Sequence, residues 1–138
     1  MNETDDASIL RDASPDDEPQ IAQLIEPFVA QRKLLPRTDA ELTELIRNAF
    51  VIENRGKIVG FAAIQIYSRK LAEIQCLAVD ENCQGQGMGR KLIDACVARA
   101  RQQGVIELMA ITSSEQLFAR CGFHYALPDE KKALFINP

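Results

Sequence analysis

The stretch Gln84-Gly85-Gln86-Gly87-Met88-Gly89-Arg90 is the most informative part of this sequence. It lies between a predicted strand, 71–79, and a helical pattern that begins at Gly87. Three glycines at alternate positions allow the backbone a positive φ and a close approach to another molecule. The first N–H groups of a helix have no partner within the helix, and with the helix dipole they form an anion site. Because Arg90 and Lys91 add positive charge, the segment predicts a pyrophosphate-binding turn.

Two common phosphate-binding patterns do not fit this turn. The dinucleotide fingerprint G-x-G-x-x-G/A would need a small residue where Arg90 or Leu92 stands. The P-loop G-x-x-x-x-G-K-[ST] would need a glycine at Arg90. The turn could also be purely structural and only pack a helix on a sheet. We favour a ligand because two basic residues follow the three glycines.

The segments around the turn predict an α/β (α+β) domain with a mixed, mostly antiparallel sheet flanked by helices. Hydrophobic patterning predicts strands over residues 8–13, 49–53, 58–67, 71–79 and 105–111. Helices are predicted after the capping residues Ser14 and Thr38, after Gly87, and after Ser113 or Ser114. We expect one or two edge strands within residues 123–138.

Length and composition favour a single globular domain over residues 1–138, with a frayed acidic terminus at 1–7. The net charge of −4 argues against nucleic acid as the main partner. No apolar run approaches the roughly 18 residues that cross a bilayer, and the acidic start is no secretory signal, so we expect no membrane association and a cytoplasmic location. One histidine and four cysteines without metal-binding spacing predict no metal site.

The pattern that does fit the turn is [QR]-x-x-G-x-[GA], read from Gln84 to Gly89. At this point the sequence resembles the GNAT superfamily of acetyl-CoA-dependent N-acetyltransferases. Residues 71–79 resemble the family's fourth strand, and residues 105–123 resemble the strand and helix that complete its cofactor cleft. The resemblance covers about residues 9–123 and implies a sheet that is splayed between the fourth and fifth strands.

This resemblance implies acetyl-CoA as the cofactor and an amine as the acceptor. An amine is mostly protonated at neutral pH, and Glu73 matches the position that often supplies the general base which removes that proton. The alternative for Glu73 is an outward-facing strand residue paired with Arg69. The backbone N–H of Leu77 would stabilise the oxyanion. The implied cofactor-binding residues are Leu77, Ala78, Val79, Gln84, Gly85, Gln86, Gly87, Met88, Gly89 and Arg90.

One departure from the family concerns the last helix. Many members carry a tyrosine there that protonates the leaving thiolate, and the matching residue here is Phe118. Ser113 and Ser114 are candidate substitutes, although helix capping is the stronger interpretation for both. A CoA-binding module that has lost turnover therefore stays open as the alternative function.

A narrower resemblance concerns the acceptor. The segments 34–38, 50–53 and 111–113 resemble the acetyltransferase domain of bacterial N-acetylglutamate synthases, which implies a small-molecule amino-acid acceptor such as glutamate. Arg37 is the candidate for gripping the acceptor carboxylate, since a guanidinium binds a carboxylate with two parallel hydrogen bonds. A solvated loop arginine is the alternative. Small domains of this type often pair through a sheet edge or the late strands, so a homodimer is expected.

Overall fold

The computed structural model describes residues 7–124 and 132–138 of the chain, and five strands and four α-helices lie within them. Local signals start the helices where they were expected, because Ser14 and Thr38 each form a capping box at an N-terminus. In chain order the elements are β1 (Ser8–Asp12), a short 3-10 helix (Pro15–Asp17), α1 (Glu18–Ala30), α2 (Asp39–Ile46), β2 (Ala49–Asn54), β3 (Lys57–Ile66), β4 (Leu71–Val79), a second 3-10 helix (Glu81–Cys83), α3 (Met88–Gln102), β5 (Glu107–Ala110) and α4 (Glu115–Arg120).

The five strands form one sheet in the order β1-β2-β3-β4-β5. The first four strands are antiparallel, and β5 pairs parallel to β4, which confirms the predicted mixed, mostly antiparallel sheet flanked by helices. The β4–β5 pairing runs only from Leu71↔Glu107 to Ile74↔Ala110, whereas β4 continues to Val79. The two strands therefore part after Ile74, and this splay opens a cleft in the sheet.

A bulge in β4 lies just beyond the point where the two strands part. Phe61 of β3 faces Ala78, but Ala63, two residues further along β3, faces Gln75, so β4 holds one extra residue in this interval. Cys76 within it has a φ of 62°, an uncommon backbone conformation for a residue other than glycine. The sequence patterning did not predict this bulge.

The sheet is covered on both faces, and the bulge changes the face to which β4 side chains point. One core packs α1 and α2 on the sheet, and the other packs α3 and α4 on the opposite face. Ile74 belongs to the α3 core, whereas Cys76 belongs to the α1 core. Strand residues two apart normally share a face, so the extra residue reverses the alternation.

The fifth strand is shorter than the predicted span of residues 105–111. Gly104, with a φ of 72°, ends α3, and the Val105 N–H donates to the Ala100 carbonyl at 3.0 Å. This hydrogen bond is typical of a Schellman motif. Because the Val105 N–H is used at the end of the helix, Val105 does not begin the strand. We also predicted one or two edge strands within residues 123–138. Residues 123–124 and 132–138 form no strand, and residues 125–131 lie outside the described residues.

Asp17 is a buried carboxylate that links the first 3-10 helix to Arg11 of β1. It accepts two hydrogen bonds from Arg11, at 2.8 and 2.9 Å, and one from the Ser14 N–H at 2.8 Å. These bonds hold the pKa of Asp17 below its ordinary value. We expect Asp17→Asn to lower the free energy of unfolding by about 2 kcal/mol at neutral pH, because hydrogen bonds to a charged group are lost. Urea unfolding measures this change.

The effect of Asp17→Asn should depend on pH with a definite sign. A carboxyl whose folded-state pKa is depressed stabilises the protein above its ordinary pKa of about 4, and this contribution is lost as the pH falls through the folded-state value. The difference between wild type and variant should therefore shrink in acid below about pH 4. Asp16→Asn, at an exposed acid of the same turn, is the control. Equal effects of the two substitutions at neutral pH would contradict the prediction.

Candidate active site

The splay of the sheet produces a cleft of about 580 Å³. Its walls come from the free part of β4, the glycine turn, the start of α3, and the segment that joins β5 to α4. Nine of the ten predicted cofactor-binding residues line it: Leu77, Ala78, Val79, Gln84, Gly85, Gly87, Met88, Gly89 and Arg90. Gln86 does not line the cleft, and its Oε1 is buried without a hydrogen bond among the described residues.

The glycine turn presents open backbone to this cleft. Gly85 and Gly87 have φ values of +82° and +80°, and a Cβ added at either would meet no atom within 4 Å. Gly87 is the N-cap of α3, and its carbonyl accepts the first helical bond from the Lys91 N–H at 3.1 Å. The Gln84 side chain donates to the Val79 carbonyl at 3.1 Å and thereby joins the turn to β4. The arrangement leaves a helix N-terminus free to bind an anionic group, so the residues fit the pyrophosphate of CoA.

The third glycine has a different role. A Cβ at Gly89 would lie 3.1 Å from the Leu117 Cδ2 atom on α4. The absence of a side chain at Gly89 therefore allows α3 and α4 to approach each other closely. Gly89 thus serves the packing of two helices, whereas the backbone of Gly85 and Gly87 borders the cleft with no atom within 4 Å of an added Cβ.

Several cleft residues were missed by the sequence analysis. Arg120 on α4, together with Phe28 and Lys33 near the end of α1, lines the same cavity. Arg120 and Lys33 add to the positive charge of Arg90. Arg90 also forms an i,i+4 ion pair with Asp94 at 3.8 Å. Phe28 and Lys33 lie far from the glycine turn in sequence, so no local pattern connected them with it. The family resemblance placed the helix of Arg120 at the cleft but gave that residue no role.

Phe118 lies in the core and offers no proton donor to the cleft. It is buried at 5% exposure and packs edge-to-face on Phe123, with ring centroids 5.1 Å apart. Ser113 and Ser114 line the cleft nearby. Ser114 occupies the N-cap position of α4, but its side chain makes no capping bond, which departs from the predicted capping role. Its backbone N–H instead donates to the Thr112 hydroxyl at 2.8 Å.

A cluster of polar side chains joins β4 and the end of β3 to the loop before α2. We call it the polar cluster, and its members are Arg37, Gln65, Tyr67, Glu73 and Gln75. The Tyr67 hydroxyl donates to Glu73 Oε1 at 2.5 Å, and the Gln75 amide donates to the same oxygen at 3.3 Å. Arg37 donates to Gln75 Oε1 at 3.3 Å. Glu73 therefore takes its hydrogen bonds from Tyr67 and Gln75 and forms no ion pair with Arg69 among the described residues.

The polar cluster adjoins the cleft through Cys76. This thiol lines the cavity, and burial raises its pKa while the positive charge of Arg37 opposes that rise. Arg37 does not line the cavity itself, and it reaches the cleft wall through Gln75, the neighbour of Cys76 on β4. Of the cluster, sequence reasoning identified Glu73 and Arg37 but not Gln65, Tyr67 or Gln75. The strand alternation that pairs Glu73 with Gln75 was the available signal.

Residues 7–124 and 132–138 carry neither a metal-binding cluster nor a membrane-spanning helix. No group of three histidine, cysteine or acidic side chains is arranged there to hold a metal ion. None of the helices in that part of the chain combines the length and the apolar character that a membrane span requires.

Comparisons with known proteins agree with this geometry. The model of the acetyltransferase (GNAT) family matches residues 13–123. An amino-acid acetyltransferase of Ralstonia nicotianae is 38% identical over 94% of this chain and 30% of its own length. The N-acetylglutamate synthase of Neisseria gonorrhoeae, solved with coenzyme A and N-acetyl-glutamate, superposes with a TM-score of 0.81 at 33% identity over 90% of this chain and 30% of its own.

A Mycobacterium tuberculosis protein solved in complex with CoA superposes with a TM-score of 0.80 at 30% identity, over 87% of this chain and 75% of its own. By contrast, the chain spans about 30% of the length of the Ralstonia and Neisseria relatives. The family match covers most of the chain, and the Neisseria and Mycobacterium structures that superpose on it contain CoA. The chain therefore belongs to the acetyltransferase (GNAT) family, whose members use acetyl-CoA.

Proposed function

We propose that this chain transfers the acetyl group of acetyl-CoA to the primary amine of an amino acid, with Glu73 as the general base. One observation carries the proposal: a cleft that fits CoA adjoins a cluster that holds both a carboxylate and a guanidinium. An amino acid carries an ammonium and a carboxylate, which are the charges that Glu73 and Arg37 would bind.

The cofactor half of the proposal rests on the glycine turn and the splayed strand. Acetyl-CoA would supply the activated acetyl thioester, with its pyrophosphate against the backbone of Gly85 and Gly87. Leu77 lies beyond the last paired position between β4 and β5 and lines the cleft. Its backbone N–H is our candidate donor to the thioester oxygen, where negative charge develops during attack.

The acceptor half assigns the proton transfer to Glu73. The ammonium proton passes to the Glu73 carboxylate, and the freed lone pair of the nitrogen forms the bond to the acetyl carbon. As the carbon–sulfur bond breaks, the CoA thiolate would leave with the electron pair of that bond, and the nitrogen would lose its second proton to give the neutral amide. That second proton would pass to the thiolate. Because Phe118 carries no donor, a water or the Ser113 hydroxyl is our candidate for protonating the thiolate.

Glutamate is the acceptor that the relatives favour. The Neisseria gonorrhoeae enzyme that superposes on this chain is an N-acetylglutamate synthase, and the Ralstonia relative is an amino-acid acetyltransferase. Since both relatives are much longer than this chain, the likeness supports the amino-acid class more firmly than it supports glutamate.

A panel of amino acids with acetyl-CoA tests the proposal. Products should be detected by mass spectrometry as N-acetyl amino acids, because the four cysteines of the chain would react with a thiol reagent. Acetylation of one or a few amino acids is expected. If CoA binds but no amino acid is acetylated, the acceptor proposal is wrong, and a CoA-binding module without amino-acid turnover becomes the better description.

Arg37 should determine the affinity for the acceptor carboxylate. We expect Arg37→Ala to raise KM for the amino acid about 10- to 100-fold, because hydrogen bonds to a charged group are lost. The KM for acetyl-CoA should not change. Steady-state kinetics with each substrate varied in turn measures both values.

Arg47→Ala is the matched control, because Arg47 is an exposed arginine at the opposite end of α2. The amide of the same amino acid provides a second control, since it lacks the carboxylate. Arg37→Ala should leave the KM for that amide unchanged. An equal rise for the amino acid and its amide would show that Arg37 does not bind the carboxylate.

A further inference from the structure

The hydrogen bonds that Glu73 receives from the described residues all end on one of its oxygens. The Tyr67 hydroxyl reaches Oε1 at 2.5 Å, and Gln75 Nε2 reaches the same atom at 3.3 Å. Tyr67 follows the end of β3, and Gln75 lies two residues along β4, so the two donors approach from adjacent strands. The other oxygen, Oε2, keeps its capacity to accept a proton.

Arg37 fixes which end of the Gln75 amide faces the rest of the network. A guanidinium can only donate, so the Gln75 oxygen must face Arg37 and the Gln75 amide nitrogen must face the opposite way. That nitrogen carries two hydrogens and faces three acceptors, Gln65 Oε1, the Tyr67 oxygen at 3.1 Å and Glu73 Oε1 at 3.3 Å. Its contact with Glu73 is the longest of the three and shares a hydrogen with another acceptor. The Tyr67 hydroxyl directs its single hydrogen to Glu73 Oε1 at 2.5 Å, because the other acceptor within reach, Gln65 Oε1, is neutral and 3.5 Å away. The orientation of the carboxylate thus depends on a chain of donors that begins at Arg37.

Few other groups compete for the Glu73 carboxylate. Its register partner on β3 is Gln65, and its register partner on β5 is Met109, and neither is charged. Gln65 accepts a hydrogen bond from the Gln75 amide and thereby anchors that side chain further. Arg37 is the charged group nearest in the network, and it reaches Glu73 only through Gln75. The position of the carboxylate is therefore controlled mainly by Tyr67 and Gln75.

We propose that Tyr67 and Gln75 are positioning residues that hold Glu73 through Oε1 and leave Oε2 to take the proton of the acceptor amine. The inference rests on the proposed function, in which Glu73 is the general base. A strand carboxylate without these partners would sample several side-chain rotamers, and a base must lie within hydrogen-bond reach of the proton that it removes. The two residues act through Glu73 and do not contact the thioester.

Tyr67→Phe tests the inference through catalysis. We expect kcat to fall about 10- to 100-fold, because small displacements of a catalytic group cost rates of this order. The KM for acetyl-CoA should stay unchanged. Ser68→Ala is the matched control, because Ser68 occupies the same turn and its hydroxyl oxygen accepts from the Lys70 N–H instead of contacting the polar cluster. Gln75→Ala should lower kcat in the same way, which guards against a folding defect in either variant.

A double-mutant cycle separates positioning from a general structural effect. In a Glu73→Gln background, Tyr67→Phe should cause little further loss of kcat, because the group that Tyr67 positions no longer acts as a base. Additive losses would show that Tyr67 acts independently of Glu73, and this result would overturn the inference.

A spectroscopic titration tests the Tyr67–Glu73 bond without any turnover. The hydrogen bond to the Glu73 carboxylate raises the pKa of Tyr67. Glu73→Gln should lower the pKa of Tyr67 toward its ordinary value of about 10, because a neutral amide replaces the charged acceptor. Tyrosinate absorbance follows this change, and Tyr67→Phe assigns the signal, since the chain has two tyrosines.

The outcomes distinguish this inference from the proposed function. If the wild type acetylates no amino acid, the proposed function fails, and the titration still decides whether Tyr67 is bonded to Glu73. If the wild type and Ser68→Ala are active and Glu73→Gln is not, an unchanged kcat in Tyr67→Phe overturns the positioning inference alone. An unchanged Tyr67 titration in Glu73→Gln overturns it as well.

Discussion

Glu73→Gln is expected to lower kcat by a factor of about 10² to 10⁴, the range that a positioned general base contributes. Glutamine has nearly the same shape as glutamate, and its carbonyl oxygen can still accept from the Tyr67 hydroxyl. The substitution therefore removes the proton acceptor with little change in packing. Steady-state kinetics with the amino acid found in the panel measures the loss.

The affinity for CoA should not change in Glu73→Gln. Glu73 does not line the cleft, and it lies on the part of β4 that remains paired with β5. Isothermal titration with CoA checks this point. Glu107→Gln, at an exposed carboxylate on β5, is the control and should be fully active. If Glu73→Gln keeps its rate, Glu73 is not the base. If the variant loses both its rate and its CoA affinity, the residue has a structural role.

The parts of this fold that sequence predicted are those governed by local interactions. Capping boxes at Ser14 and Thr38 and the glycine turn before α3 each depend on a few consecutive residues. Their physical causes can be seen in the sequence alone, because an N-cap side chain bonds an N–H only two or three residues away. The splay of β4 from β5 was implied only by the family resemblance.

The features that were missed depend on contacts across the fold. The bulge at Cys76 is a shift in the register between β3 and β4, so it depends on the pairing of two strands. A cysteine with a positive φ has no signature in the sequence. The polar cluster joins the loop before α2 to two strands, so Arg37 and Gln75 meet although 38 residues separate them. Val105 has a strand-like side chain, but its N–H is used by the end of α3.

Gly87→Ala should weaken CoA binding about 10- to 100-fold. Gly87 has a φ of +80°, and L-residues in this conformation cost roughly 1–2 kcal/mol. Relaxing that strain would rotate the peptide groups at the start of α3, whose N–H groups are our candidates for binding the pyrophosphate. Each hydrogen bond to a charged group is worth about 1.5–3 kcal/mol, so losing one gives this change in affinity.

Gly104→Ala isolates the ligand effect from the backbone strain. Gly104 lies at the opposite end of the same helix with a φ of +72°, and a Cβ there would also meet no atom within 4 Å. Both variants should therefore lose similar stability in urea unfolding, while only Gly87→Ala should lose affinity for CoA in isothermal titration. Equal affinities in the two variants would mean that the glycine turn serves helix geometry alone. Loss of affinity in Gly87→Ala only would separate the anion-binding role of the turn from its conformational role, because the strain is matched and the position relative to the cleft is not.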